Sequence, residues 1–191
     1  MPSTKATETK IPEIELKLRQ IGGDMLKIEY LENCLKQPLV NDVRRFCHLK
    51  ITDLYSQKGM YFEAAKNMNG AAECATTYKD KMQLYMNEAS LWIKKAEYGN
   101  AENAFKKALA CGNAVEKEAL KQQLKKEYFV LAESLEKRER NTAAIGVYER
   151  IIALAWISQA EKDKIIAKLA KLYSGIGKIP EAMRYEAMMK K

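Results

Sequence analysis

The stretch YMNEASLWIKKAEYGNAENAFKKA, residues 85–108, decides how this chain folds. Tyr85, Ala89 and Trp92 are spaced so that they line one side of a helix, and Ala101, Phe105 and Ala108 repeat that rhythm after Gly99. Two helices joined through Tyr98-Gly99-Asn100 are therefore predicted. Ala101 falls near the start of the second, where a bulky side chain would hold apart two axes that should approach to about 8–10 Å.

The same arrangement recurs on both sides of this stretch. Ile51, Leu54 and Tyr55 precede Gly59 and Tyr61, and then come Ala64, Met68 and Ala71. Leu131, Ser134 and Leu135 precede Glu139 and Asn141, followed by Ala144, Tyr148 and Ile151. Leu169, Leu172 and Tyr173 precede Gly177 and Ile179, followed by Ala182, with Glu186 at the position held elsewhere by Met68, Phe105 or Tyr148. The alanines Ala64, Ala101, Ala144 and Ala182 are 37, 43 and 38 positions apart. Turn signals at Gly22-Gly23, Gln37-Pro38, Gly112-Asn113 and between the aligned blocks mark ten helices, near 13–21, 24–36, 41–58, 61–76, 79–96, 99–111, 114–138, 142–155, 159–175 and 180–190. Asp24, Asn41 and Asn141 are expected to cap helix starts, and Pro180 suits a first helical turn.

Tyr85, Ala89, Trp92, Tyr98, Ala101, Phe105 and Ala108 resemble the motif of the tetratricopeptide repeat, as do Tyr128, Ala132, Leu135, Ala144 and Tyr148, and Ala170, Tyr173, Gly177 and Ala182. The spacings exceed the family's usual length of about 34 residues. The resemblance implies an all-α, right-handed α-solenoid of about five antiparallel helix pairs. It would form a single domain over 13–191 after a flexible tail, 1–12: a degenerate pair at 13–40, then clearer repeats at 41–76, 77–113, 114–157 and 158–191. The long repeats and the paired alanines of YFEAAKNMNGAAE, residues 61–73, also resemble the arrays of the SNAP adaptors, which link membrane-fusion machinery to its disassembly ATPase.

Composition agrees with a packed helical protein. Apolar residues are 47%, charged residues 30%, and there are only 9 Gly and 4 Pro in 191 residues. The longest apolar run, Ile151 to Ile157, is far below the roughly 20 residues of a membrane-spanning helix. The opening MPSTKATETKIP lacks the apolar centre of a secretory signal. Cys34, Cys47, Cys74 and Cys111 are separated by 13, 27 and 37 positions, too widely for a zinc ligand set, and read as reduced thiols of a cytoplasmic protein.

Candidate chemistry is sparse. His48 is the sole histidine, and although Cys47 adjoins it, adjacent helical residues point about 100° apart and do not face one another. No phosphate-cradling glycine motif occurs, and carboxylates such as Glu116, Glu118, Glu133 and Glu136 lie among lysines. The expectation is a non-enzymatic protein with no metal and no cofactor.

A net charge of +8 favours acidic partners. With 26 Lys against 7 Arg, base readout in nucleic acid is disfavoured, because that recognition leans on guanidinium forks. Lys164, Lys168 and Lys171 share one face of the ninth helix. The competing reading is association of these lysines with nucleic acid or, peripherally, with an anionic membrane, as a SNAP-like trafficking adaptor would require.

The repeat resemblance also implies where a partner would sit, on the exposed side of each pair's first helix. Carrying over those positions gives Phe46, Leu49 and Asp53, then Gln83, Met86, Asn87, Ser90 and Lys94, then Lys126, Phe129 and Glu133, then Lys164, Ala167, Lys168 and Lys171. Only Asn87 matches the Lys and Asn clamp with which some members hold acidic chaperone tails. The mixture of Phe46, Leu49, Met86 and Phe129 with lysines suits instead an amphipathic or extended peptide bearing acidic residues. The run Ala187-Met188-Met189-Lys190-Lys191 contains no polar capping helix, so the expectation is that a partner covers the C-terminal pair, that the protein forms a homodimer there, or that the packing is closed some other way. The function read from the sequence is an adaptor or scaffold.

Overall fold

The computed structural model describes residues 6–189, and among them ten α-helices and no strand occur. In chain order these are α1 (Ile11–Gln20), α2 (Asp24–Leu35), α3 (Asn41–Gln57), α4 (Tyr61–Glu73), α5 (Tyr78–Lys95), α6 (Tyr98–Cys111), α7 (Ala114–Lys137), α8 (Asn141–Ala153), α9 (Gln159–Gly175) and α10 (Ile179–Met188). The chain divides into two compact units, 1–120 and 121–191, with the division inside α7 rather than in a linker. Within the first unit α2 packs on α3, α3 on α4, α4 on α5 and α5 on α6. Within the second, α8 packs on α9 and α9 on α10. In each of these contacts a helix rests on its chain neighbour, the packing order of a helical repeat.

One turn is built four times. After α3, the Met60 amide donates to the Tyr55 carbonyl at 2.9 Å and the Gly59 amide to that of Ser56 at 3.0 Å, with Gly59 left-handed at φ 71°. This is the Schellman closure, which satisfies carbonyls that the helix end would otherwise leave bare. After α5, Glu97 donates to Trp92 and Ala96 to Ile93, with Ala96 at φ 65°. After α7, Arg140 donates to Leu135 and Glu139 to Glu136, with Glu139 at φ 57°. After α9, Lys178 donates to Tyr173 and Gly177 to Ser174, with Gly177 at φ 76°. The positions aligned in the sequence at Gly59, Ala96, Glu139 and Gly177 are therefore one conformational site.

The recurring alanine closes the next helical turn each time. Ala64, Ala101, Ala144 and Ala182 donate to Met60, Glu97, Arg140 and Lys178 at 3.0–3.1 Å. Their exposures are 0, 0, 0 and 3%, so the methyl groups face neighbouring helices. At the first pair the approach is documented by Thr52, whose hydroxyl lies 2.9 Å from the His48 carbonyl on its own helix and 3.3 Å from the Ala64 carbonyl across on α4. Farther along the same pair, a Cβ on Gly70 would stand 2.7 Å from His48 Cε1, so only glycine admits the ring there.

Several local expectations are corrected. Asp24, Asn41 and Asn141 are the first helical residues, not the caps, and no side-chain cap bond forms at α2, α3 or α8. Capping is supplied instead by Thr77, whose hydroxyl accepts from the Asp80 amide, and by Ser158, which forms a reciprocal box with Glu161. Asn113 and Glu116 exchange the same pair of bonds at the start of α7. The expected tail 1–12 is shorter, because Ile11 and Pro12 open α1. Before it, Glu8 accepts from the Tyr30 hydroxyl at 2.9 Å and the Gln37 amide donates to the Ala6 carbonyl. Residues 1–5 of the expected tail lie outside the described residues.

Two stability experiments follow from these contacts. Ala101→Trp should overpack α5 against α6 and lower stability by about 1–3 kcal/mol in denaturant unfolding, with an unchanged melting curve as the contrary result. At the shared turn site, Ala96→Gly should stabilise and Gly177→Ala destabilise, each by roughly 0.5–1 kcal/mol, because a Cβ in the left-handed region costs energy that glycine does not incur. Shifts of the same sign in both variants would contradict the common turn.

Candidate partner-binding surface

The candidate residues occupy equivalent positions on successive first helices. Counting from the shared turn, Leu49, Met86, Phe129 and Ala167 are one position, and Phe46, Gln83, Lys126 and Lys164 lie one helical turn before it. Asp53, Ser90, Glu133 and Lys171 lie one turn after it.

In the first unit, Phe46 and Leu49 on α3 are half-buried and Asp53 is exposed. The Lys50 amine sits 5.4 Å from the centre of the Phe46 ring, covering an aromatic face with a cation. On α5, Gln83 is exposed and donates to Asn87 at 3.1 Å, Ser90 turns inward to the Met86 carbonyl at 3.0 Å, and Lys94 lies 5.9 Å from the Tyr61 ring. Met86 is a correction. At 0% exposure it belongs to the core and cannot touch a partner.

Beside this row, a groove of about 380 Å³ runs between α1, α2 and α3, where Glu15, Arg19, Lys27, Lys50 and Asp53 bring both signs of charge around Leu18 and Leu54. Of these only Asp53 was among the sequence candidates. Glu15 and Arg19, four residues apart on α1, carried a legible signal, but the region 13–40 showed no repeat register through which to read it.

In the second unit, Lys126, Glu133, Lys164 and Lys171 are exposed, while Phe129 and Ala167 are half-buried. Lys168 is half-buried, and its amine is engaged within the fold. It donates to the Tyr148 hydroxyl at 2.9 Å, meets Glu136 at 3.2 Å and lies 5.1 Å from the Tyr148 ring centre. Burial pulls this amine toward neutrality, but its bonds to Tyr148 and Glu136 outweigh that and leave its pKa above the ordinary value. Burial, reinforced by a hydrogen bond to Glu136, pushes the Tyr148 phenol up to about 12. The three lysines of α9 thus do not form a stripe of three free amines. Lys125, which forms a basic block in the sequence with Lys126, pairs with Glu161 at 2.7 Å. That ammonium, followed by the Ser158 hydroxyl, holds Glu161 at about 2.

His48 and three of the four cysteines are held inside the fold. His48 Nδ1 is 3.0 Å from Asn67 Oδ1, and the Asn67 amide nitrogen donates to the Glu63 carbonyl, so the ring nitrogen carries the proton. Burial lowers the His48 pKa. Cys34, Cys47 and Cys74 are buried. Among the described residues, no three of His, Cys, Asp and Glu gather closely enough to hold a metal ion, and no helix is long and apolar enough to cross a membrane.

Glu88 is the one group that sequence reading passed over although its position was visible. It stands in the register of Ile51, Leu131 and Leu169, yet carries a carboxyl that is 6% exposed. One oxygen accepts from Trp92 Nε1 at 3.1 Å, while the other has no hydrogen-bond partner among the described residues. Burial raises its pKa above the ordinary 4.5, with the Trp92 bond and the Lys107 charge opposing. A raised carboxylate pKa means that ionised Glu88 subtracts stability above that pKa, and that the penalty is relieved as pH falls toward 4.5. Glu88→Gln should therefore stabilise the protein by about 1–3 kcal/mol at neutral pH, with the gain shrinking in acid. A gain independent of pH, measured by urea unfolding between neutral and acid buffers, would contradict a buried charge.

No family model and no curated relative matches this sequence. Among solved structures, a crystal structure of MamA is similar to it, with 20% sequence identity, a TM-score of 0.41, and coverage of 93% of this chain and 91% of that one.

Proposed function

We propose that the protein is a non-enzymatic adaptor that binds a peptide or helical segment of a partner on the first helices of its pairs. Support comes from one observation above all. The same position of the first helix bears an incompletely covered apolar residue in three of the four pairs, Leu49, Phe129 and Ala167; charged groups lie one turn to either side of Phe129 and Ala167, and Phe46 and Asp53 lie one turn to either side of Leu49. A helical repeat that only needed to stack would bury such a row or make it polar. The exposed Lys126, Lys164 and Lys171 favour a partner with acidic residues. A cytoplasmic setting accords with four widely spaced cysteines, three of them buried, that the fold does not join in disulfides.

The test is affinity capture from native lysate with full-length protein, comparing the wild type with Leu49→Glu and Phe129→Glu. Both side chains are half-buried, so circular dichroism and thermal melting must first show each variant folded. The expected outcome is loss of the same captured proteins, by about tenfold or more, in both variants. Capture unchanged in both overturns the reading. Retention on anionic vesicles or nucleic acid that falls steeply with salt, with no protein captured, transfers the function to the lysines.

A further inference from the structure

We propose that Cys34 and Cys47 form a dithiol site that a hydroperoxide closes to a disulfide between α2 and α3. The two cysteines are 13 positions apart in the chain, Cys34 in the last turn of α2 and Cys47 in the second turn of α3, and these helices pack on one another. Both are 0% exposed, and their thiols hydrogen-bond to each other. A second contact fixes the approach. Arg44, one turn before Cys47, donates to the carbonyl of Leu35, the residue after Cys34, at 3.2 Å.

A buried thiol is ordinarily inert, because the thiolate is the reactive form and the proton has no way out. Here a way out is built. Tyr30 lies four residues before Cys34 on the same face of α2, is 0% exposed and hydrogen-bonds to the Cys34 sulfur. Its hydroxyl has a single proton, which it donates to Glu8 at 2.9 Å, so toward Cys34 it acts as an acceptor. The bonds therefore run in one direction, from the Cys47 S–H to the Cys34 sulfur, from the Cys34 S–H to the Tyr30 oxygen, and from the Tyr30 O–H to Glu8. Glu8 is half-buried and can exchange a proton with solvent. The Thr7 amide donates to it at 2.9 Å, and this bond with that from Tyr30 outweighs burial and keeps its pKa below the ordinary carboxylate value.

The chain also makes the two thiols unequal. Donation from Cys47 is the largest influence on Cys34 and, against burial, holds its pKa below the ordinary thiol value. The same bond, followed by burial, pushes Cys47 up, with the Arg44 charge opposing. Cys34 is thus the attacking sulfur and Cys47 the resolving one. The Cys34 thiolate attacks one peroxide oxygen, an S–O bond forms as the O–O bond breaks, and the departing oxygen takes up the released proton to leave as water or an alcohol. Cys47 then attacks the resulting sulfenic acid at sulfur. The S–S bond forms, the S–O bond breaks, and the hydroxide leaves as water with the Cys47 proton. In sum, two electrons pass from the two sulfurs to the peroxide bond.

The full-length protein, treated with hydrogen peroxide at neutral pH, alkylated in denaturant and digested, provides the test. Mass spectrometry should recover the Cys34 and Cys47 peptides joined within one chain, and dithiothreitol should release them. Tyr30→Phe, shown folded by circular dichroism, should slow the joining about tenfold or more, because the thiol then loses its proton path. Should that variant unfold, Glu8→Gln, at a half-buried position, carries the same test. Cys34 and Cys47 still open to alkylation after Cys111 has been oxidised overturns the proposal, as does a crosslink formed only between chains. Joining at an unchanged rate in folded Tyr30→Phe also overturns it, since the pair would then be neighbours without an activating chain.

Discussion

A methyl group held against a neighbouring helix, four residues after a left-handed turn, is the constraint on which this structure depends. The Schellman closure at Gly59, Ala96, Glu139 and Gly177 fixes where one helix stops, and the alanine at the start of the next sets how near the two can come. Larger side chains at Ala64, Ala101, Ala144 or Ala182 would separate the pair and empty the space that Met68, Phe105 and Tyr148 fill. At one position of the first helices Leu49, Phe129 and Ala167 are partly uncovered, whereas Met86 at the same position is buried.

Much of that was legible in the sequence because small residues at a helix crossing and turn residues at a fixed offset leave a period that does not depend on side-chain identity elsewhere. All ten helices occur within a few residues of their expected bounds, and the position shared by Gly59, Ala96, Glu139 and Gly177 was already aligned. Capping was not legible. Asp24, Asn41 and Asn141 have suitable oxygens, but each lies one residue inside its helix, and a one-residue shift is beyond what composition resolves.

The candidate surface was read less well than the fold, for physical reasons. Met86 and Phe129 share a register, yet Met86 is wholly covered and Phe129 half so, because coverage depends on the neighbouring helices and not on position along the helix alone. Lys168 appears in the sequence as one amine of three, and its bonds to Tyr148 and Glu136 come from helices 20 and 32 residues away. Glu88 shows the opposite failure. A carboxyl in a row of Ile51, Leu131 and Leu169 was visible as a mismatch, and packed against Trp92 it is the one buried carboxyl among the described residues.

The neighbour-by-neighbour contacts within each unit have a kinetic meaning. When most partners are close in the chain, little loop entropy must be lost before contacts form, so the pairs can assemble quickly and locally. The same arrangement lets a pair loosen without dissolving its unit as a whole, and helices without a neighbour on one side fray first. Hydrogen exchange would then vary in steps along the polypeptide, and a single melting temperature would average several local transitions.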